Sequence, residues 1–197
     1  MRQRARLGVD LLSMNGSKIY GPKGSGVLYV RQNVTLEPLL YGGGQERGRR
    51  SGTSNVAMAI GFAAALEIVQ ESRQGETKRL TVLRDRLIAL IEERIPNMLV
   101  NGHLEHRLPG NVNISFPGLE GEALVLYLDG AGIMASTGSA CASGSEDPSH
   151  VLVAIGLSQH DATASLRLTL GRSTTQEDIA YVADKLPAIV ERLRTLA

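Results

Sequence analysis

Apolar positions along this chain change period several times, and each change marks an element. VDLLSM (9–14) and GVLYVR (26–31) are short, nearly continuous apolar runs that predict strands, the second entered through a Gly-Pro-Lys-Gly turn at Gly21 to Gly24. After Pro38 the pattern stops, because YGGGQERGRRSGTSN (41–55) holds three consecutive glycines and four charges and predicts a loop. NVAMAIGFAAALEIVQESRQ (55–74) is alanine-rich with an almost uncharged face, which predicts a deeply buried helix with Ser51, Thr53 or Ser54 as its cap. A second helix is expected over about 76–94, where Leu80, Leu83, Leu87, Leu90 and Ile91 form one stripe and Pro96 ends the run. Further along, MLVNG (98–102), NVNISF (111–116), IMAS (133–136) and SLRLTL (165–170) read as strands. EGEALVLYLDGAG (120–132) and the stretch from about Thr175 to Leu196 read as helices. Helices alternating with strands predict an α/β layer architecture, although the first strands have too few partners to make a stable sheet.

Composition narrows the function classes. The 197 residues are 43% hydrophobic with net charge +1, enough for one large or two small compact domains. Basic and acidic residues, 21 and 20, are interspersed, and with five Tyr, two Phe and no Trp the chain lacks the basic patch and stacking platform of a nucleic-acid surface. The longest uncharged apolar run, 56–66, is too short to span a bilayer, so no membrane role is expected. The opening MRQRARLG is followed by no apolar segment of signal-peptide length, and the single cysteine excludes an internal disulfide; both point to a cytoplasmic protein.

Three places carry candidate chemistry. Lys18 follows the Asn15-Gly16-Ser17 turn at the carboxyl end of a strand, where open α/β sheets bind ligands; the alternative is an ordinary solvated turn lysine. Cys141 lies in ASTGSACASGSEDPS (135–149), where small neighbours cannot pack a thiol, so an approachable, reactive cysteine is expected over an inert one. Arg167 alternates with apolar residues in SLRLTL; its planar fork suits a carboxylate bidentately, with a structural ion pair as the alternative. His103 and His106 have a spacing compatible with a metal, yet no cysteine or carboxylate group completes a site, and none is expected.

Four stretches together, DLLSMNGSKIYGPKGSGVLYV, GGGQERGRRSGT, STGSACASGSEDPSHVL and SLRLTLGRSTTQEDI, occur in the order and at the distances found in cysteine desulfurases of the NifS and IscS type. The resemblance covers essentially the whole chain but only about the second half of a family member. It implies a fold type I pyridoxal-phosphate enzyme of the class V aminotransferase superfamily, α/β, with 1–54 as the end of the large cofactor domain and 55–197 as the small α+β domain. It implies that Lys18 holds pyridoxal 5'-phosphate, that Asn15 and Ser17 lie near its phosphate, and that Thr53 reaches the cofactor phosphate of the partner in a homodimer. It further implies that Arg167 pairs with the carboxylate of the L-cysteine substrate and that Cys141 takes its sulfur as a persulfide, releasing alanine and passing sulfur to an acceptor such as an iron–sulfur scaffold.

The chain also departs from that family. Many members carry histidine before the lysine and serine two residues earlier, where this chain has Ser17 and Asn15. The aspartate for the pyridine nitrogen, the stacking histidine and the glycine-rich phosphate turn belong to the family's first half and are not in this sequence. Another class V lyase or aminotransferase, for instance one acting on selenocysteine, and a catalytically inactive remnant serving as an interaction module or as half of a split enzyme, are the alternative expectations.

Overall fold

The computed structural model describes residues 7–138 and 148–196. The chain forms two compact units, Met1–Arg73 and Gln74–Ala197. In the first, strands β1 (Leu11–Asn15) and β2 (Gly26–Val30) pair antiparallel with Asn15 opposite Gly26. Helix α1 (Val56–Arg94) begins here, capped by Asn55, whose Oδ1 accepts the Met58 N–H at 3.1 Å. The expected caps Ser51, Thr53 and Ser54 are therefore not used in that way.

Two further expectations about α1 are corrected. The helices expected at 55–74 and 76–94 are one helix of 39 residues. Gly75 costs only about 1 kcal/mol against alanine inside a helix, too little to stop one with strong helix formers on both sides. The expected deep burial of its first half also fails: Phe62 is buried, but Val56, Ile60 and Ile68 are 63%, 64% and 52% exposed.

The second unit is built on the antiparallel sheet β3-β4-β5, with β3 Leu99–Val100, β4 Asn111–Ser115 and β5 Ser165–Thr169. Asn113 lies opposite Arg167 and Ser115 opposite Ser165. Alternation along each strand sends Val112, Ile114, Leu166 and Leu168 to one face, where they join the core with Leu87 and Ile91 of α1. Helices α2 (Gly121–Gly130) and α5 (Gln176–Leu196) add Leu124, Leu128, Leu186 and Val190 to that core. Two short helices that the apolar pattern did not signal, α3 (His150–Ala154) and α4 (Gln159–Thr163), precede β5. The strand expected at 133–136 is reduced to a single bridge between Ser136 and Arg167.

Two arginines tie α1 to the end of the chain. Arg79 holds Glu76 with two hydrogen bonds of 3.0 Å and donates to the Gly171, Arg172 and Thr174 carbonyls, which closes the turn after β5. These bonds hold the Glu76 carboxyl below the usual carboxylate range. Arg94 donates from Nη1 to the Ala183 carbonyl at 3.0 Å. Ala183 is four residues before Pro187 of α5, so the N–H that would have bonded this carbonyl does not exist. Arg94→Ala is expected to lower stability in urea unfolding by about 1 kcal/mol, the worth of one hydrogen bond. In a Pro187→Ala background the same change is expected to cost little; an equal cost in both backgrounds would disprove this account.

Candidate active site

Lys18 sits in a 3-10 turn, Gly16–Ile19, that begins where β1 ends. Asn15 opens the turn by accepting the Ser17 N–H on its Oδ1 at 2.9 Å, which leaves its amide NH2 as a donor. Tyr20 closes it in the left-handed region, φ 61°, with the Gly21 N–H on the Gly16 carbonyl at 2.8 Å. The turn lies hard against the start of α1. A Cβ at Gly16 would collide with Ser25 Oγ and stand 3.2 Å from the Phe62 ring. Glycine at this position therefore lets the turn reach the helix, while Asn15, Ser17 and Lys18 remain exposed.

The loop between β2 and α1 is held by its own polar groups: Ser51 Oγ donates to the Gly43 carbonyl at 2.9 Å and the Gly52 N–H to Gln45 Oε1 at 3.1 Å. Glu46 and Arg47 adopt left-handed backbone. Thr53 is exposed beyond this knot.

In the second unit the sheet face opposite the apolar core is polar, yet most of it is dry. Ser115 and Ser165 are both fully buried, and Asn101 and Asn113 nearly so. Asn101 Nδ2 donates to Asn113 Oδ1 at 2.6 Å and to Ser115 Oγ at 2.8 Å, Ser115 Oγ donates to the Asp161 carbonyl at 2.7 Å, and Ser165 Oγ donates to the Thr137 carbonyl at 2.8 Å. Arg167 stands in this row. Its backbone N–H and C=O are both bonded to Ser136, at 2.6 and 3.1 Å. Its Nε is shielded from water and has no hydrogen-bond partner, alone in this respect among the buried side-chain atoms of the described residues. A buried donor left unpaired costs about 1–3 kcal/mol. A bound ligand is one way such a group is satisfied.

Lys18, Asn15, Ser17 and Thr53 thus belong to the first unit and Arg167 to the second. Cys141 lies outside the described residues. The rings of His103 and His106 lie tilted against each other with centres 4.4 Å apart, and His103 Nδ1 accepts the N–H groups of Glu105 and His106, which spends that nitrogen on folding the loop. Among the described residues no three His, Cys, Asp or Glu side chains gather as a metal site, and no helix is long and apolar enough to cross a membrane. Sequence reasoning passed over Ser136, Ser165, Asn101 and Asn113. The signal was present in the alternation NVNIS and SLRLT, whose polar positions read as a solvated face.

Comparison with known proteins places these features in a family. The profile described as aminotransferase class-V matches residues 3–182. The chain is 51% identical over 193 residues to cysteine desulfurase IscS of Clostridium botulinum, covering 97% of this chain and 49% of that protein. It is 50% identical to cysteine desulfurase IscS 1 of Archaeoglobus fulgidus over 98% of this chain and 50% of that protein. The chain therefore spans about half the length of these curated relatives. A solved NifS-like protein superposes with TM-score 0.84 at 35% identity, covering 95% of this chain and 48% of the other. A structure titled SspA in complex with cysteine superposes with TM-score 0.59 at 33% identity, over 84% of this chain and 45% of that one. With the profile matched along most of its length and the α/β fold shared with NifS-like structures, this chain belongs to the class V aminotransferase family, fold type I.

Proposed function

We propose that this chain is the carboxyl-terminal part of a pyridoxal-phosphate-dependent cysteine desulfurase, with 1–54 closing the large domain and 55–197 forming the small domain. The observation that carries the reading is Arg167: a guanidinium donor buried without a partner, its backbone paired to Ser136 at the root of the segment that holds Cys141. A substrate carboxylate is the anion that completes it, and a thiol a few residues from Ser136 distinguishes sulfur transfer from plain transamination, which needs no such group.

Pyridoxal phosphate presents an aldehyde, a phosphate and a ring. The exposed amine of Lys18 suits the aldehyde, and the Ser17 hydroxyl with the free Asn15 amide suits the phosphate, so the turn fits the group. When bound, the cofactor supplies an electron sink for cleavage of the C–S bond. Lys18 holds it and moves protons, Arg167 orients the substrate carboxylate, and Thr53 reaches a phosphate across a homodimer. Cys141 accepts sulfur and delivers it to an acceptor protein such as an iron–sulfur scaffold, in the cytoplasm.

The exposed Val56, Ile60 and Ile68 have the character of a domain interior, and the reading assigns their cover to the half of the relatives that this chain does not span. The test is assembly with the amino-terminal half of the Clostridium botulinum relative. The 197-residue chain alone is expected to take up little cofactor and release negligible alanine from cysteine, and the assembled protein to do both. Sustained alanine production by the chain alone would remove the need for a second half. Cofactor uptake without alanine, in an assembled protein, would reject desulfuration and direct attention to selenocysteine or to an inactive remnant.

A further inference from the structure

Arg167 is flanked in register by Asn113 on β4 and by Ser136 across the isolated bridge. Ser136 turns its hydroxyl back on its own chain, to the carbonyl and N–H of Gly138. Asn113 differs, because the hydrogen-bond row behind it fixes which end of its amide is spent. The row starts at the Asp161 carbonyl, which can only accept. Ser115 Oγ gives its one hydrogen to that carbonyl at 2.7 Å and can therefore only accept from Asn101. Asn101 must then present its NH2, and it does so to Ser115 Oγ at 2.8 Å and to Asn113 Oδ1 at 2.6 Å. The backbone N–H of Asn101 also donates to the Asn113 carbonyl at 2.9 Å, which pins the two asparagines together. The amide sense follows from this succession of donors and acceptors: Asn113 spends its oxygen inside the row and keeps its NH2 free. Among the described residues no oxygen accepts from that NH2. Because Arg167 Nε is the one unpaired side-chain atom there that is shielded from water, the Asn113 NH2 keeps a path to the surface.

We propose that Asn113 is a second substrate-binding residue: its NH2 donates to the same carboxylate that completes Arg167, and so selects a carboxylate over a neutral amide. The proposal rests on the reading above that a substrate carboxylate is the ligand of Arg167. Directly opposite residues of an antiparallel pair leave the same face with Cβ atoms about 4.5–5.5 Å apart, so Asn113 and Arg167 bring two unsatisfied donors to one place. Two donors cannot satisfy each other. They fit a group that carries acceptors only, as a carboxylate does, with one oxygen for the guanidinium and one for the amide. A carboxamide in the same position has a single acceptor and sets its own NH2 against that of Asn113. The buried row makes this selection hard to evade. For Asn113 to offer its oxygen instead, Asn101 would have to turn as well, and the Asn101 oxygen would then face a Ser115 hydroxyl whose hydrogen is committed to Asp161.

The experiment measures calorimetric binding of 3-mercaptopropionate and 3-mercaptopropionamide to the protein assembled with the amino-terminal half of the Clostridium botulinum relative. The two probes differ at the carboxylate alone, lack the amine that would join the cofactor, and need no turnover. The parent is expected to prefer the carboxylate by at least about tenfold. Asn113→Asp keeps the size of the side chain and an oxygen for Asn101 but replaces the free donor with an acceptor. It is expected to weaken 3-mercaptopropionate at least about tenfold while the amide binds as tightly as before or more tightly, since the probe's NH2 then meets an acceptor and its carbonyl still meets Arg167. An arginine merely misplaced by the change would lose both probes together, because both depend on it. If Asn113→Asp does not fold, Asn113→Ser withdraws the donor by shortening the side chain, with the carboxylate expected to weaken at least about threefold and the amide to bind no worse. Parallel weakening of both probes, or an unchanged preference, would overturn the proposal, as would a parent that binds the two alike. A parent with the expected preference that releases no alanine from cysteine would instead overturn the desulfurase reading while bearing out Asn113 as a carboxylate contact.

Discussion

Cys141→Ala is expected to abolish persulfide formation in the assembled enzyme while leaving cofactor absorbance intact. In the proposed desulfurase, cofactor attachment uses the Lys18 amine and substrate orientation uses Arg167; neither needs a thiol. Sulfur capture does, and Cys141 is the one cysteine that this chain offers as nucleophile. The rate of alanine release from cysteine should therefore fall by at least about a hundredfold, to whatever slow background an external thiol supports. The check pairs alanine quantification with intact-mass detection of the added sulfur. Alanine and sulfide released by the mutant at the parent rate would show that the reaction does not pass through Cys141.

Arg167→Lys is the second large effect, and it separates function from fold. Lysine keeps the charge but has neither the planar fork nor Nε, so a carboxylate loses one charge-assisted bond worth about 1.5–3 kcal/mol, or about ten- to a hundredfold in kcat/KM for cysteine. The same change removes the donor that is buried without a partner. The urea midpoint should consequently stay level or rise, the signature of a group held ready for a ligand at a cost in stability. A structural arginine behaves in the opposite way: stability falls and kcat/KM follows only through loss of folded protein.

Much of this architecture is legible in the apolar pattern. The stripe Leu83, Leu87 and Ile91 is buried as its spacing requires, and β1, β2, β4 and β5 occur where apolar runs are bounded by turn residues. The 39 residues of α1 read as two helices in the apolar pattern, yet Gly75 between them costs too little to interrupt hydrogen bonding that is continuous on both sides. The short helices α3 and α4 escaped because five residues each are too few for a period to show. Asn55, and not Ser51, Thr53 or Ser54, caps α1, since a cap is chosen by where the backbone enters the helix and not by side-chain type alone.

By itself the sequence determined the chemistry on offer: an amine on a turn at a strand end, a thiol among small residues, and an arginine alternating with leucines. These depend on residue type and local spacing, which a linear pattern contains. Only the tertiary structure decided that the second face of the sheet is buried. NVNIS and SLRLT would read the same with that face in water; burial by residues far along the chain turns their serines and asparagines into a closed hydrogen-bond row. That burial also leaves the Arg167 Nε unpaired. Solvent exclusion at a given side chain depends on which distant segments pack over it, and that is a property of the folded chain.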